Sequence, residues 1–238
     1  MQLAAESDNV LRSHSLVGGT LANDVLHRLR EDIISCILKP GEKLRFEALR
    51  EIYGVSFSTL REALSRLASE RLVVSEGQRG FVVAPISAED LLDVTDARVV
   101  LERECIARSM ARGGADWKAA VLSAYHKLDR LEATLDNQQR VTREWDQLHF
   151  DFHEAMVAAA GSPTLEELRH ALFERARRYR RLSALVRKAP RVKSDEHRML
   201  MEAVLSGDSD AAQDLIERHI REIAQNVIRN GLGQNEAA

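Results

Sequence analysis

The stretch from Leu72 to Val83, LVVSEGQRGFVV, places two short β-branched runs on either side of a Gly-containing turn, a hairpin signature in a chain otherwise patterned for helix. Three stretches of 3.6-residue periodicity precede it: residues 21–38, LANDVLHRLREDIISCIL; 45–53, RFEALREIY; and 57–71, FSTLREALSRLASER. Pro40 and Gly41 in KPGEKL close the first of these, Gly54 in YGVS supplies a tight turn after the second, and Ser56 is placed to cap the third. The order helix, helix, helix, hairpin leaves few ways to bury the apolar faces. Four prolines and 5% aromatic residues in 238, with long helical periods elsewhere, predict a mainly α chain.

The short turn between the second and third stretches has helix-turn-helix spacing. In the third, Leu60, Leu64 and Leu67 form one apolar stripe, which leaves Ser58, Thr59, Arg61, Ser65 and Arg66 on the other sides. Hydroxyls and backbone amides at a helix start can meet phosphate, while Arg reaches guanine edges in a major groove. The tip EGQRG would then be a wing offering Gln78 and Arg79 to the minor groove or the backbone. The same Arg and Ser face also suits an ordinary solvated helix, because residues 45–84 are nearly charge-balanced. A net charge of -3 for the whole chain decides nothing.

Beyond VVAPISAEDLLD the pattern becomes continuous helix. Pro85 stops the last strand, and Ser87 with Asp90 reads as a capping box opening a helix near residue 88. Five or six helices fit before residue 230, with breaks at 112–116, 135–139, 160–163, 188–194 and 206–210. Short breaks between long helices predict an antiparallel bundle. The expected domains are therefore residues 20–85, a winged helix-turn-helix, and residues 88–230, an all-α bundle. Cys36 and Cys105 lie in apolar helical patterns and read as small core residues, not a disulfide. No run of about 18 apolar residues spans a bilayer and the start MQLAAESDNVLRSHSL is not a secretory signal, so no membrane partner and a cytoplasmic location are expected.

Within DQLHFDFHEAM, His149 and His153 are four apart and so lie within about 40° of each other on one helix face, with Asp146 a turn earlier. By itself such a pair is more often two interfacial histidines than a metal grip. His197 begins the helix SDEHRMLMEAVLSGD, and His219, in AAQDLIERHIREI, borders a buried face marked by Leu215, Ile216, Ile220 and Ile223. His14, His27, His126 and His170 have no such company and read as surface or packing residues.

GVSFSTLREALSRLASERLVV followed by GFVV resembles the winged helix-turn-helix of the GntR superfamily of bacterial regulators. HFDFH, EHRMLMEAVLSGD and AAQDLIERH, in that order, resemble the ligand-binding FCD domain of the FadR-type branch, closest to its VanR-like subgroup. The resemblance implies a DNA-contacting set of Arg45, Ser56, Ser58, Thr59, Arg61, Arg66, Gln78, Arg79 and Gly80. It also implies a divalent metal at the centre of the bundle, held in the family by an Asp and three His. Here His149 stands at the Asp position, giving His149, His153, His197 and His219 as the ligand set. Four imidazoles favour Zn(II), Ni(II) or Co(II) over harder Mn(II), and Asp146 is a candidate to orient one of the rings.

Arg98, in DARVVLERE, stands where an inward Arg often pairs with an effector carboxylate, although an i,i+4 pair with Glu102 is an equal reading. Arginines 169, 175, 177, 178, 180, 181 and 187 form a very basic run, most of it expected to be solvated or in subunit salt bridges, with one or two facing the cavity. Three departures from the family pattern stand out: Phe57 where many members carry a DNA-contacting Arg, Arg71 where Gly is usual, and Ser162 where Asn is common. The resulting expectation is a homodimeric repressor of a catabolic operon that binds double-stranded operator DNA and answers to a small carboxylate. The alternatives are a regulator whose signal is the ion itself and a four-histidine metalloenzyme. No motif supplies the latter with a separate base or nucleophile.

Overall fold

The computed structural model describes residues 21–135, 142–186 and 195–229. The described chain forms two compact units, one built from the chain up to Ile33 together with Gly41–Ala84, the other from Ile34–Pro40 and the residues from Pro85 onward. His14, Arg187, the break expected at 188–194 and, beyond Leu135, the break expected at 135–139 lie outside the described residues.

In the first unit α1 (Leu21–Ile34), α2 (Phe46–Tyr53) and α3 (Phe57–Ser69) surround a core of Val25, Leu29, Ile33, Leu49, Leu60, Leu64 and Leu67. Gly54 ends α2 in the left-handed region, φ +67°, and its N–H bonds the Arg50 carbonyl at 2.9 Å. Ser56 caps α3 by accepting the Thr59 N–H at 3.2 Å, so the turn between the two helices is closed at both ends. The hairpin is β2 (Val73–Ser75) and β3 (Phe81–Val83), joined by a 3-10 turn at Gly77–Arg79. A third strand, β1 (Lys43–Leu44), adds to β3 antiparallel, pairing Lys43 with Val82 and Leu44 with Phe81. Periodicity could not announce it, because two residues carry no period.

α1 stops at Ile34, four residues short of the sequence expectation. Cys36 lies beyond it with φ +58° and is half-buried, whereas Cys105 is buried as expected. At the end of α3, Arg71 has φ +58°, its N–H bonds the Ala68 carbonyl at 3.1 Å, and the Leu72 N–H bonds the Leu67 carbonyl at 3.0 Å. This is the Schellman ending, whose left-handed residue is normally glycine. The family's Gly at this position, and the cost of Arg, follow from that geometry.

The second unit is a bundle of α4 (Ala88–Arg112), α5 (Ala115–Thr134), α6 (Arg143–Val157), α7 (Pro163–Val186), α8 (Glu196–Ser206) and α9 (Ser209–Val227). Ser87 caps α4 by accepting the Asp90 N–H at 3.0 Å, and Ser162, at the family's Asn position, sits at the start of α7, where its Oγ faces the Leu165 N–H at 3.5 Å. α4 packs on α9, α7 and α6, while α5 packs on α6 and α8. The core runs through Ile106, Val121, Leu128, Phe152, Met156, Leu200, Val204, Ile216 and Ile220.

Residues 85–90, directly after the last strand, are clasped by α7. Arg178 donates to the Pro85 carbonyl at 2.9 Å, Arg175 meets Asp90 at 2.6 Å, and the Tyr179 hydroxyl donates to the other Asp90 oxygen at 2.5 Å. Burial and that carboxylate push the Tyr179 phenol up to about 12.

Candidate functional site

Helix α6 places His149 and His153 on one face, α8 contributes His197 from its second residue, and α9 contributes His219. All four are buried, and one ligand nitrogen from each lies within 4.8 Å of the others. Nε2 of His149 and Nε2 of His153 are 3.3 Å apart. Two imidazoles on one Zn(II), at about 2.0–2.1 Å each, would hold their nitrogens roughly 3.0–3.4 Å apart, so the spacing suits a shared ion.

Burial, then the neighbouring imidazole, holds His149 and His153 well below the ordinary imidazole range. Neutral rings are what a metal requires. His197 Nε2, on the far side of its ring from Glu132, is a buried polar atom with no hydrogen-bond partner among the described residues, an arrangement that costs energy unless something fills the centre.

The residues around the rings divide by charge. His219 Nδ1 faces Glu196 Oε2 at 2.7 Å, and His197 Nδ1 faces Glu132 Oε1 at 3.6 Å, the same oxygen that accepts the Trp145 indole N–H at 3.0 Å. Carboxylates on the outer nitrogen fix the tautomer that leaves Nε2 as donor. Trp145 also stacks on His149, with ring centres 4.6 Å apart. Asp146, a candidate for that orienting role, is held instead by Arg181 at 2.6 Å and Arg177 at 3.6 Å. Glu132 and Glu196 are the carboxylates that face histidines. Sequence reasoning missed Glu132 because it lies on a helix with no histidine ligand. Glu196 is legible in the EH pair as the acidic neighbour of His197, but its partner is His219 on another helix.

His149 differs from the other rings. Arg180 Nη1 lies 3.0 Å from its Nδ1, and a guanidinium can only donate, so Nδ1 accepts and the ring's single hydrogen sits on Nε2, toward His153. His149 becomes a donor through Nε2 only when Arg180 lets go of Nδ1. The four-imidazole set thus fits a divalent ion with three rings directly, and with the fourth once that one hydrogen bond is exchanged.

Arg98 is 4% exposed and meets Glu102 at 3.6 Å, a carboxylate it shares with Arg169 at 3.4 Å. Arg169 also pairs with Glu154. The guanidiniums of Arg98 and Arg180 stand 5.2 and 4.8 Å from the centre of the same Phe173 ring. Nε of Arg98, and Nε and Nη2 of Arg180, are buried without hydrogen-bond partners among the described residues, and burial pushes Arg180 down to about 10. Cations so poorly compensated beside a histidine centre favour an anion. The basic run therefore departs from the expectation of a mainly solvated face. Arg169 and Arg178 are buried and Arg175, Arg177, Arg180 and Arg181 half-buried, because partners on other elements, invisible to a charge-periodicity argument, meet them: the buried Glu102 and Asp146 for Arg169, Arg177 and Arg181, Asp90 for Arg175, the Pro85 carbonyl for Arg178 and His149 for Arg180.

In the first unit, Ser56, Ser58, Arg61, Arg66 and Arg79 are exposed, as is Arg45 at the start of α2. Ser56 Oγ lies 2.8 Å from Ser58 Oγ and 2.9 Å from Thr59 Oγ1, a hydroxyl cluster at the α3 start. Arg66 donates to Asn23 of α1 at 2.9 Å. Gly80, φ +96°, follows the turn that carries Gln78 and Arg79. Among the described residues no helix is long and apolar enough to cross a membrane.

Comparison with known proteins bears on both units. Residues 21–83 match the family described as bacterial regulatory proteins, gntR family, and residues 93–222 match the FCD domain. The chain is 41% identical over 196 residues to the HTH-type transcriptional repressor GlaR of Escherichia coli K12, covering 81% of this chain and 89% of that protein. It is 36% identical over 214 residues to the HTH-type transcriptional regulator BphR of Paraburkholderia xenovorans LB400, covering 90% and 87%. In fold it is similar to a GntR regulator of Rhodococcus sp. RHA1, with a TM-score of 0.66, 23% identity and coverage of 87% of this chain and 97% of that one. These relatives are regulators and not enzymes. A winged helix-turn-helix followed by a helical FCD domain, matched over both parts at these identities, makes this chain a member of the GntR family of bacterial transcriptional regulators, in the branch that carries a C-terminal FCD domain.

Proposed function

We propose that the chain is a homodimeric repressor of a catabolic operon, released from its operator when a small carboxylate occupies the histidine centre. The observation that carries this reading is the pair of buried guanidiniums, Arg98 and Arg180, on one Phe173 ring beside four converged imidazoles. A divalent ion, Zn(II) or Ni(II) for a set of nitrogens, would be held by His153, His197, His219 and His149 and would supply Lewis acidity for a carboxylate oxygen. Arg98 and Arg180 then bind and orient the anion through charge-assisted hydrogen bonds.

A carboxylate that draws Arg180 from His149 Nδ1 leaves that nitrogen free to carry the ring's hydrogen, which makes Nε2 a donor. Effector capture and the fourth ligand are coupled in this way through one side chain. The named repressor among the relatives supports repression as the direction of control. On the DNA side Arg61 reads a base from the exposed face of α3, Arg45, Ser56, Ser58, Thr59 and Arg66 meet the backbone or flanking edges, and the wing brings Gln78, Arg79 and Gly80 to the duplex.

The test is operator binding measured with Zn(II) alone, with a panel of small mono- and dicarboxylates alone, and with both. Release that requires a carboxylate supports the reading. Release by the ion alone would establish the rival, a regulator whose signal is the metal. The buried arginines favour the first, since an ion by itself gives them nothing to bind.

A further inference from the structure

Phe57 is the first residue of α3, next to the capping Ser56, and its side chain is 42% exposed. It is also held in place. Its ring stacks on Phe46, with centres 4.4 Å apart and planes 12° from parallel, and Phe46 in turn meets the buried Phe81 edge-on at 6.1 Å. Three rings thus run from the strand β3 to the surface, with Phe57 outermost. Arg61, one turn further along α3, places its guanidinium carbon 5.9 Å from the Phe46 ring centre, and Arg61, Arg79 and Phe57 line one open concavity between the helix and the wing. An apolar plate backed by a second ring thus shares one concavity with two arginines, at the end of the helix that reaches base edges in helix-turn-helix proteins.

The chemistry of that plate is restrictive. A phenyl ring offers no donor to guanine and none to phosphate. In the major groove only thymine presents an apolar group, the C5 methyl. An exposed aromatic gains from contact with that methyl while the guanidiniums of Arg61 and Arg79, which line the same concavity, take guanine edges or phosphates. We propose that Phe57, backed by Phe46, is a specificity-determining residue that reads a thymine methyl adjacent to the base read by Arg61. This rests on the DNA-binding role of α3 and adds to it a base preference that an Arg at the same position would not have.

The experiment begins with selection of duplexes from a random pool by the full-length protein, followed by replacement of each selected thymine with uracil, which removes the methyl alone. One position in each half-site should weaken wild-type binding about four-fold, the value of one buried methyl-sized group. The same replacement should have no effect on Phe57→Ala or Phe57→Arg, and Phe57→Arg should select guanine at that position. A selected site at which no uracil matters to the wild-type protein overturns the proposal while leaving DNA binding intact, and needs no variant to fold. Equal thymine-over-uracil preference in wild type and Phe57→Ala overturns it as well. A protein that selects no sequence at all overturns the DNA-binding reading beneath it.

Discussion

Replacing His149 by Ala tests the proposed ligand that stands where the family resemblance implies an Asp. The assay is the thermal shift produced by Zn(II), since a ligand that binds only the folded state raises its stability. At a free ion concentration of 100 times Kd the gain is about 2.7 kcal/mol. For a chain of this size roughly 2–4 °C accompanies each kcal/mol, so the wild-type Tm should rise about 5–11 °C.

If loss of one of four imidazoles weakens the ion about 100-fold, the upper end of what even an outer partner's removal costs, the same concentration equals Kd and the gain falls to about 0.4 kcal/mol, about 1–2 °C. His149→Ala also loses the stack on Trp145, so its Tm in chelator will be lower, and only the difference with and without metal is informative. His149→Asp should behave differently. A carboxylate beside Arg180 gains a charged partner and restores an oxygen donor, so the shift should persist while preference moves toward Mn(II). Equal metal-induced shifts in wild type and His149→Ala would refute the assignment of His149 as a ligand.

Arg61→Ala should cost about 1–3 kcal/mol of operator affinity with an unchanged helical spectrum, as read by titration of a labelled duplex. Arg79→Ala should weaken all duplexes alike and reduce the slope of log affinity against log salt by about 1, in contrast to a sequence-selective loss. Glu196→Gln, which keeps the size but not the charge of the group 2.7 Å from His219 Nδ1, should lower Zn(II) affinity about 10–100-fold in a competition assay with a chelating dye. Arg71→Gly should stabilise the protein by about 0.5–1 kcal/mol in urea unfolding, because relief of a left-handed side-chain conformation outweighs the extra entropy of an unfolded glycine.

What the sequence disclosed followed from rules that act over a few residues. Caps at Ser56 and Ser87, the turn at Gly54, the leucine stripe of α3 and the bundle breaks at 112–116, 160–163 and 206–210 each obey a local steric or hydrogen-bonding requirement, so they could be read without a structure. The histidines were found through motif order, since the spacing of 149 and 153 alone is common. The missed features depend on partners distant in sequence. Arg169 looks solvated until Glu102, 67 residues away, is seen beside it, and the contact that sets the His149 tautomer comes from Arg180 on a different helix. Lys43 and Leu44 became a strand only because Phe81 and Val82 offered an edge.

Arg180, which touches His149, and Tyr179, which holds Asp90 in the segment that emerges from the winged unit, are consecutive residues of one helix. Their side chains leave the axis about 100° apart, so a small roll of α7 moves both contacts at once. A device of this kind has no privileged input. If anion capture weakens the grip on operator DNA by some factor, then operator DNA must weaken anion capture by the same factor. On the proposed mechanism, the protein seated on its operator would show a poorer affinity for a carboxylate effector than the free protein, and the effector concentration needed to release it would rise with the concentration of free operator.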